Sequence, residues 1–134
     1  MVKPAVTLPD PERAVIDLLL AAGRTNVSTD FPPSPLAGSA TRVQVDLEAS
    51  DADFYPITER AQVRVVAHAA PGKRTAVKAL AAQLIQDLYT FDGNASVSGI
   101  FPVAGRSAVS VDPDTGNVMC WLIVRVDLLA SLAS

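Results

Sequence analysis

Between Ile57 and Ala69 the chain alternates with a period of two. Ile57, Ala61, Val63, Val65, Ala67 and Ala69 fall on one side, and Thr58, Arg60, Gln62, Arg64 and His68 on the other, with Val66 as the exception. This predicts a strand with one dry face. Ala70-Pro71-Gly72 breaks the alternation. From Lys73 onward Val77, Leu80, Ala81, Leu84, Ile85 and Leu88 recur at three- and four-residue spacing, which predicts an amphipathic helix with one buried stripe, ended by Asp92-Gly93-Asn94. The other elements are expected to cover this strand and helix.

Asp10-Pro11-Glu12 predicts a helix start: Asp10 caps, Pro11 suits the first position, and Glu12 favours the positive end of the dipole. Val15, Leu18, Leu19 and Ala22, widened by Ile16 and Leu20, extend it over residues 11–22 to Gly23. Thr25 to Thr29 is expected to form a brief strand. Residues 1–9 are expected to be flexible, and residues 30–41, with Pro32, Pro33 and Pro35, to form a loop or extended arm. Arg42, Gln44, Asp46 and Glu48 alternate with Val43, Val45 and Leu47, a half-buried strand. Paired antiparallel with the strand from Thr58 to His68, one register sets Glu48 opposite Arg60 and Gln44 opposite Arg64, matching charge across the polar face. The connection between them holds Asp51, Asp53, Phe54 and Tyr55; the two rings either form a contact tip or tuck over the core edge.

Val97, Gly99, Phe101 and Val103 suggest a further strand, and Pro102 and Gly105 mark it as an edge or a bulge. Ala108 to Val111 and Val118 to Leu128 flank the turn residues Asp112-Pro113-Asp114-Thr115-Gly116-Asn117 and read as a hairpin. In the last strand Val118, Cys120, Leu122, Val124 and Val126 alternate with Met119, Trp121 and Ile123, so its first half is apolar on both faces. Such a strand is either central and covered on both sides, or it lends one face to another subunit. The expected fold class is α+β: a largely antiparallel or mixed sheet of about four to six strands with two helices on one face.

At 134 residues the chain is expected to be a single domain, 1–134. Hydrophobic residues make up 49% but aromatics only 5%, so Val, Leu, Ile and Ala must fill the core. The formal net charge of −3 and the absence of a Lys/Arg run argue against nucleic acid or an anionic membrane as the principal partner. One cysteine, Cys120, cannot form an internal disulfide, and the amino terminus lacks the apolar run of a secretory signal, so a cytoplasmic origin is expected. Without such a signal, Asn94-Ala95-Ser96 reads as an ordinary turn and not as a glycosylation site.

Reactive chemistry is scarce. Ala67-His68-Ala69-Ala70-Pro71-Gly72-Lys73-Arg74-Thr75 lies where a phosphate-binding loop would lie, but Ala67 replaces the first glycine and Arg74 the magnesium-binding hydroxyl. His68 is the only histidine and falls on the polar strand face, so a surface or interface histidine is expected. Cys120 reads as an inert packed thiol. Asp112, Asp114 and Gly116 resemble the start of a calcium loop whose closing glutamate would fall at Ile123, so a hairpin turn is expected instead. The carboxylates Asp46, Glu48, Asp51 and Asp53 read as a solvated edge. No catalytic residue, metal site or cofactor is expected, and the chain is not expected to be an enzyme.

The amino-terminal helix, the proline-rich crossing, Arg42-Val43-Gln44-Val45-Asp46-Leu47 and the acidic-aromatic loop precede the strand Ile57 to Ala67. That strand runs directly into the alanine-rich helix Arg74-Thr75-Ala76-Val77-Lys78-Ala79-Leu80-Ala81-Ala82. Over residues 10–130 this order of elements resembles the tail terminator (tail completion) proteins of long-tailed bacteriophages, especially actinobacterial ones. The resemblance implies an α+β subunit that closes into a hexameric ring, caps the tail tube, stops its growth and offers a face to the head connector. Its partners would be copies of itself, the tail tube protein and the connector protein, with DNA passing through the lumen without specific binding. Its place would be the head-proximal end of the virion tail. Another ring-forming neck component shares this layout, and a nucleotide-binding module using Gly72-Lys73 is the alternative from a different class. A ring needs two complementary patches per subunit. The candidates are the alternating-charge residues Arg42, Asp46, Glu48, Arg60 and Arg64, and the apolar Met119, Trp121 and Ile123, with Phe54 and Tyr55 as loop contacts.

Overall fold

The computed structural model describes residues 6–51 and 58–132. Its elements run β1 (Val6–Thr7), α1 (Pro11–Ala21), β2 (Val27–Ser28), β3 (Thr41–Asp51), β4 (Thr58–Ala69), α2 (Arg74–Tyr89), β5 (Val97–Ala104), β6 (Ser110–Val111), β7 (Val118–Leu129) and β8 (Ser131–Leu132). The fold is α+β: a six-stranded mixed sheet ordered β2-β3-β4-β7-β5, with β6 also on β7, and two helices. All its pairings are antiparallel except β2 with β3. The two central strands, β4 and β7, bury every second residue against the helices, and β7 begins with apolar residues on both faces, Val118 to Val124.

Both helices lie on the same face. Val15, Ile16, Leu18 and Leu19 of α1 and Val77, Ala81, Leu84 and Leu88 of α2 join one cluster with Val43 and Val45 of β3, Ala61, Val63, Val65, Ala67 and Ala69 of β4, and Val118 to Leu128 at every second position of β7. α1 starts as its sequence dictates: Asp10 accepts a hydrogen bond from the Glu12 amide at 3.0 Å, with Pro11 in the first turn. Glu12 in turn accepts from the Leu47 amide at 2.9 Å, so a helix side chain occupies a donor of β3 and blunts it. The corner before α2 depends on Gly72 at φ +79°, where a Cβ would be strained, and the Lys73 amide closes it on the Ala70 carbonyl at 3.0 Å. Among the described residues, no helix is long and apolar enough to cross a membrane.

Several expectations change. The β3–β4 register is offset by two residues: Gln44 faces Val66 and Asp46 faces Arg64, while a bulge between Leu47 and Ala49 sets Asp51 against Arg60. A two-residue slip keeps every side chain on its face, so alternation could not discriminate between the registers. Val6–Thr7 are not free but pair with Ser131–Leu132, a contact between chain ends that no local pattern announces. The brief strand after α1 narrows to Val27–Ser28, and α2 stops at Tyr89, short of Asp92-Gly93-Asn94. β5 is an edge strand with irregularities at Val97/Gly99 and Pro102/Ala104, as its proline and glycines required.

Candidate interaction surface

The face of the sheet opposite the helices is built from the other set of alternating residues. Paired positions share a face, and the registers assemble them into rows: Arg42–His68–Met119, Gln44–Val66–Trp121, Asp46–Arg64–Ile123, then Gln62–Arg125–Phe101 and Arg60–Asp127. Glu48 joins this face through a salt bridge to Arg64. Eight of the ten residues singled out from the sequence, Arg42, Asp46, Glu48, Arg60, Arg64, Met119, Trp121 and Ile123, therefore share one surface rather than forming two separate patches. The remaining two, Phe54 and Tyr55, lie outside the described residues.

The two ends of this face differ. At one end the proline-rich segment is strapped across it. Asn117 accepts from the Leu36 amide at 2.8 Å and donates to the Ser34 carbonyl at 3.1 Å, while Phe31 meets the His68 ring edge-on at 5.1 Å. The segment is a held loop and not a free arm. Under it His68 is completely buried, contrary to the surface position its alternation suggested. Its Nε2–H donates to Gln44 Oε1 at 3.0 Å, and Gln44 Nε2 donates to Asp46 Oδ2 at 2.6 Å. That chain fixes the tautomer and leaves His68 Nδ1 without a partner. Burial pushes the His68 pKa down from 6.5 to about 4, against a smaller pull from Asp112 and with a further push from Arg42. Asp46 is held above its ordinary value by burial and by the neighbouring Glu12, opposed by Arg64 and Gln44.

Among the described residues no segment crosses the other end. Arg64 reaches over the half-buried Trp121, 5.9 Å from the ring centroid, and Arg125 lies 4.3 Å from the centroid of the exposed Phe101 while its Nε donates to Asp127 at 2.9 Å. Between β3 and this end lies a cavity of about 200 Å³ lined by Ala49, Ser50, Arg60, Gln62 and Arg125. The surface thus combines aromatic and aliphatic area with charges already matched in sign, which suits a protein contact more than a small ligand.

Cys120 and the Asp112 turn hold the structural places that their sequence suggested. Cys120 is buried and its Sγ donates to the Ser107 carbonyl at 3.3 Å. Asp112 accepts from Thr115 Oγ1 at 2.6 Å and from the Asp114 amide at 3.1 Å, bonds that hold its pKa below the usual carboxylate range and make the expected hairpin turn. Among the described residues no group of three or more His, Cys, Asp or Glu is placed to hold a metal ion. Sequence reasoning missed Phe31, Gln44, Asn117, Phe101 and Arg125. Val66, the apolar break in the polar row, and the doubly apolar first half of β7 signalled that part of this face is covered.

No family model and no curated protein matches the sequence. A chain in a solved structure described as the virion of a native gene transfer agent particle matches in shape, with a TM-score of 0.53 and 21% identity, covering 89% of this chain and 87% of that one. At such identity the likeness establishes a shared fold over nearly the whole length of both chains.

Proposed function

We propose that the chain is a structural subunit of a phage-like virion, and specifically a tail terminator: a ring that caps the tail tube, ends its polymerisation and presents a face to the head connector. The observation that supports this best is the shape match to a virion chain across nearly all of both molecules. The order of elements, resembling that of tail terminators, supplies the finer reading. A sheet face with the half-buried Trp121, the exposed Phe101 and matched charges agrees with a protein that works through contacts. In this reading the subunit acts by self-association and not by bond-making, and DNA passes through the ring lumen.

The test is light scattering on the purified chain with and without tail tubes, followed by negative-stain imaging of where it sits on the virion. A ring at the head-proximal tube end is expected. A chain that stays solitary even when offered finished tube ends would remove the proposal. The same shape match favours a second reading, another ring-forming neck component, and imaging separates the two by position.

A further inference from the structure

α2 is charged against its own dipole. Lys73 at the N-cap, Arg74 in the first turn and Lys78 one turn later add positive charge where the free backbone amides already make the positive end, with no acidic residue in that turn. Arg106 joins them, its Nη1 donating to the Lys78 carbonyl at 3.4 Å. All four cations are exposed, and none forms a salt bridge among the described residues. At the opposite end Asp87 in the last turn and Asp92 just beyond it place negative charge beside the free carbonyls, with no basic residue in the last turn. α1, by contrast, carries its acid at the favourable end. A helix loaded this way is less stable than its reverse would be, so the charges serve something outside the helix.

The acidic end opens into a cleft of about 390 Å³ lined by Asp17, Leu18, Ala21, Ala22, Asp87, Thr90, Phe91, Asp92 and Asn94. Its rim holds three carboxylates and no Lys or Arg, and its floor is Leu18 and Phe91. Arg24 binds Asp87 from the side at 2.6 Å, and Arg13 meets Asp17 in an exposed pair at 2.9 Å, while Asp92 has no partner among the described residues. Long Lys and Arg stems can lie on such a floor while their heads meet the rim. The two poles stand about 24 Å apart, the length of a helix of 16 residues.

We infer that the basic pole of α2 in one copy of this chain docks into the acidic α1–α2 cleft of the next. The contact joins two different patches, so it is head-to-tail, the type that closes into a ring. It rests on the self-association proposed above and supplies the second, complementary patch that the single sheet face cannot.

The test compares sedimentation of the wild-type chain, of Lys73→Glu/Arg74→Glu/Lys78→Glu and of Asp17→Lys/Asp92→Lys, alone and mixed, at low and moderate salt. Wild-type association should weaken by about tenfold or more as salt rises through the range where the screening length falls below 10 Å. Each variant alone should remain monomeric where the wild type assembles, and the mixture should recover association. The triple variant should also melt at a higher temperature, because glutamates at a helix start agree with the dipole. Variants that assemble like the wild type, or a mixture that stays monomeric, would overturn this contact and leave ring formation standing by another surface. A triple variant that melts lower would overturn the dipole argument. A wild type that never associates would remove the contact and the ring together.

Discussion

Acidification from pH 7 to pH 5.5 should destabilise the folded chain through one residue, His68. Its pKa in the fold is about 4 against 6.5 when exposed, so the unfolded chain binds the extra proton. The stability that neutral burial provides is complete above about pH 6.5 and is lost as pH falls toward 4. At pH 5.5 the unfolded histidine is about ten parts protonated to one neutral, which stabilises the unfolded state by about 1.4 kcal/mol, against about 0.2 at pH 7. The net loss is therefore about 1.2 kcal/mol. This figure holds for any folded value below about 5, because the folded histidine is then neutral throughout the window. His68 is the only histidine. The raised Asp46 pushes stability the other way, while the lowered Asp112 acts the same way but only as pH falls through its ordinary carboxylate range, below this window. Urea unfolding followed through the single Trp121, at one fixed low protein concentration, should show the midpoint falling by about 0.6 M for a slope near 2 kcal/mol/M. His68→Gln should flatten the dependence. A wild-type midpoint that does not move between pH 7 and 5.5, or a variant that keeps the slope, would refute the burial argument.

Asn117→Ala should cost about 1–3 kcal/mol, since the side chain, 1% exposed, holds both Leu36 and Ser34, and should make the segment 31–40 a protease target; an unchanged melting point with no new cleavage would show the strap is held otherwise. Leu84→Ala, at a fully buried position of the helix stripe, should lose about 3 kcal/mol in urea unfolding, and a loss under 1 would mean the layer can collapse around it. Trp121→Asp should abolish assembly in sedimentation while circular dichroism stays native, because the ring is half-buried on the open face; lost spectra would assign it to the core instead, and unchanged sedimentation would remove this face from the contact.

The helix-facing layer was legible because each of its residues obeys one period. Val63, Val65 and Leu122, or Val77, Ala81 and Leu84, declare their burial without reference to any partner. His68 was misread for the complementary reason. Its neighbours in sequence assign it to the polar side, and what buries it, Phe31 on the proline-rich strap and Gln44 on the adjacent strand, comes from 37 and 24 positions away. The β3–β4 register was out of reach for the same cause, since a slip of two preserves every pattern that periodicity measures.

The strapped end also shows why a buried polar chain sits in an otherwise aliphatic domain. The strap meets this face at His68, and a purely aliphatic set there would tolerate a strand slip of two as readily as the sequence pattern does. The hydrogen bond from His68 to Gln44 joins β4 to β3, while that from Gln44 to Asp46 stays within β3 and orients the Gln44 amide, so the slip that sets Gln44 opposite Arg64 would leave the buried His68 Nε2–H unpaired at a cost of about 1–3 kcal/mol. The His68–Gln44 bond therefore opposes a slip that hydrophobicity alone allows, on the same face where Arg64 lies over Trp121.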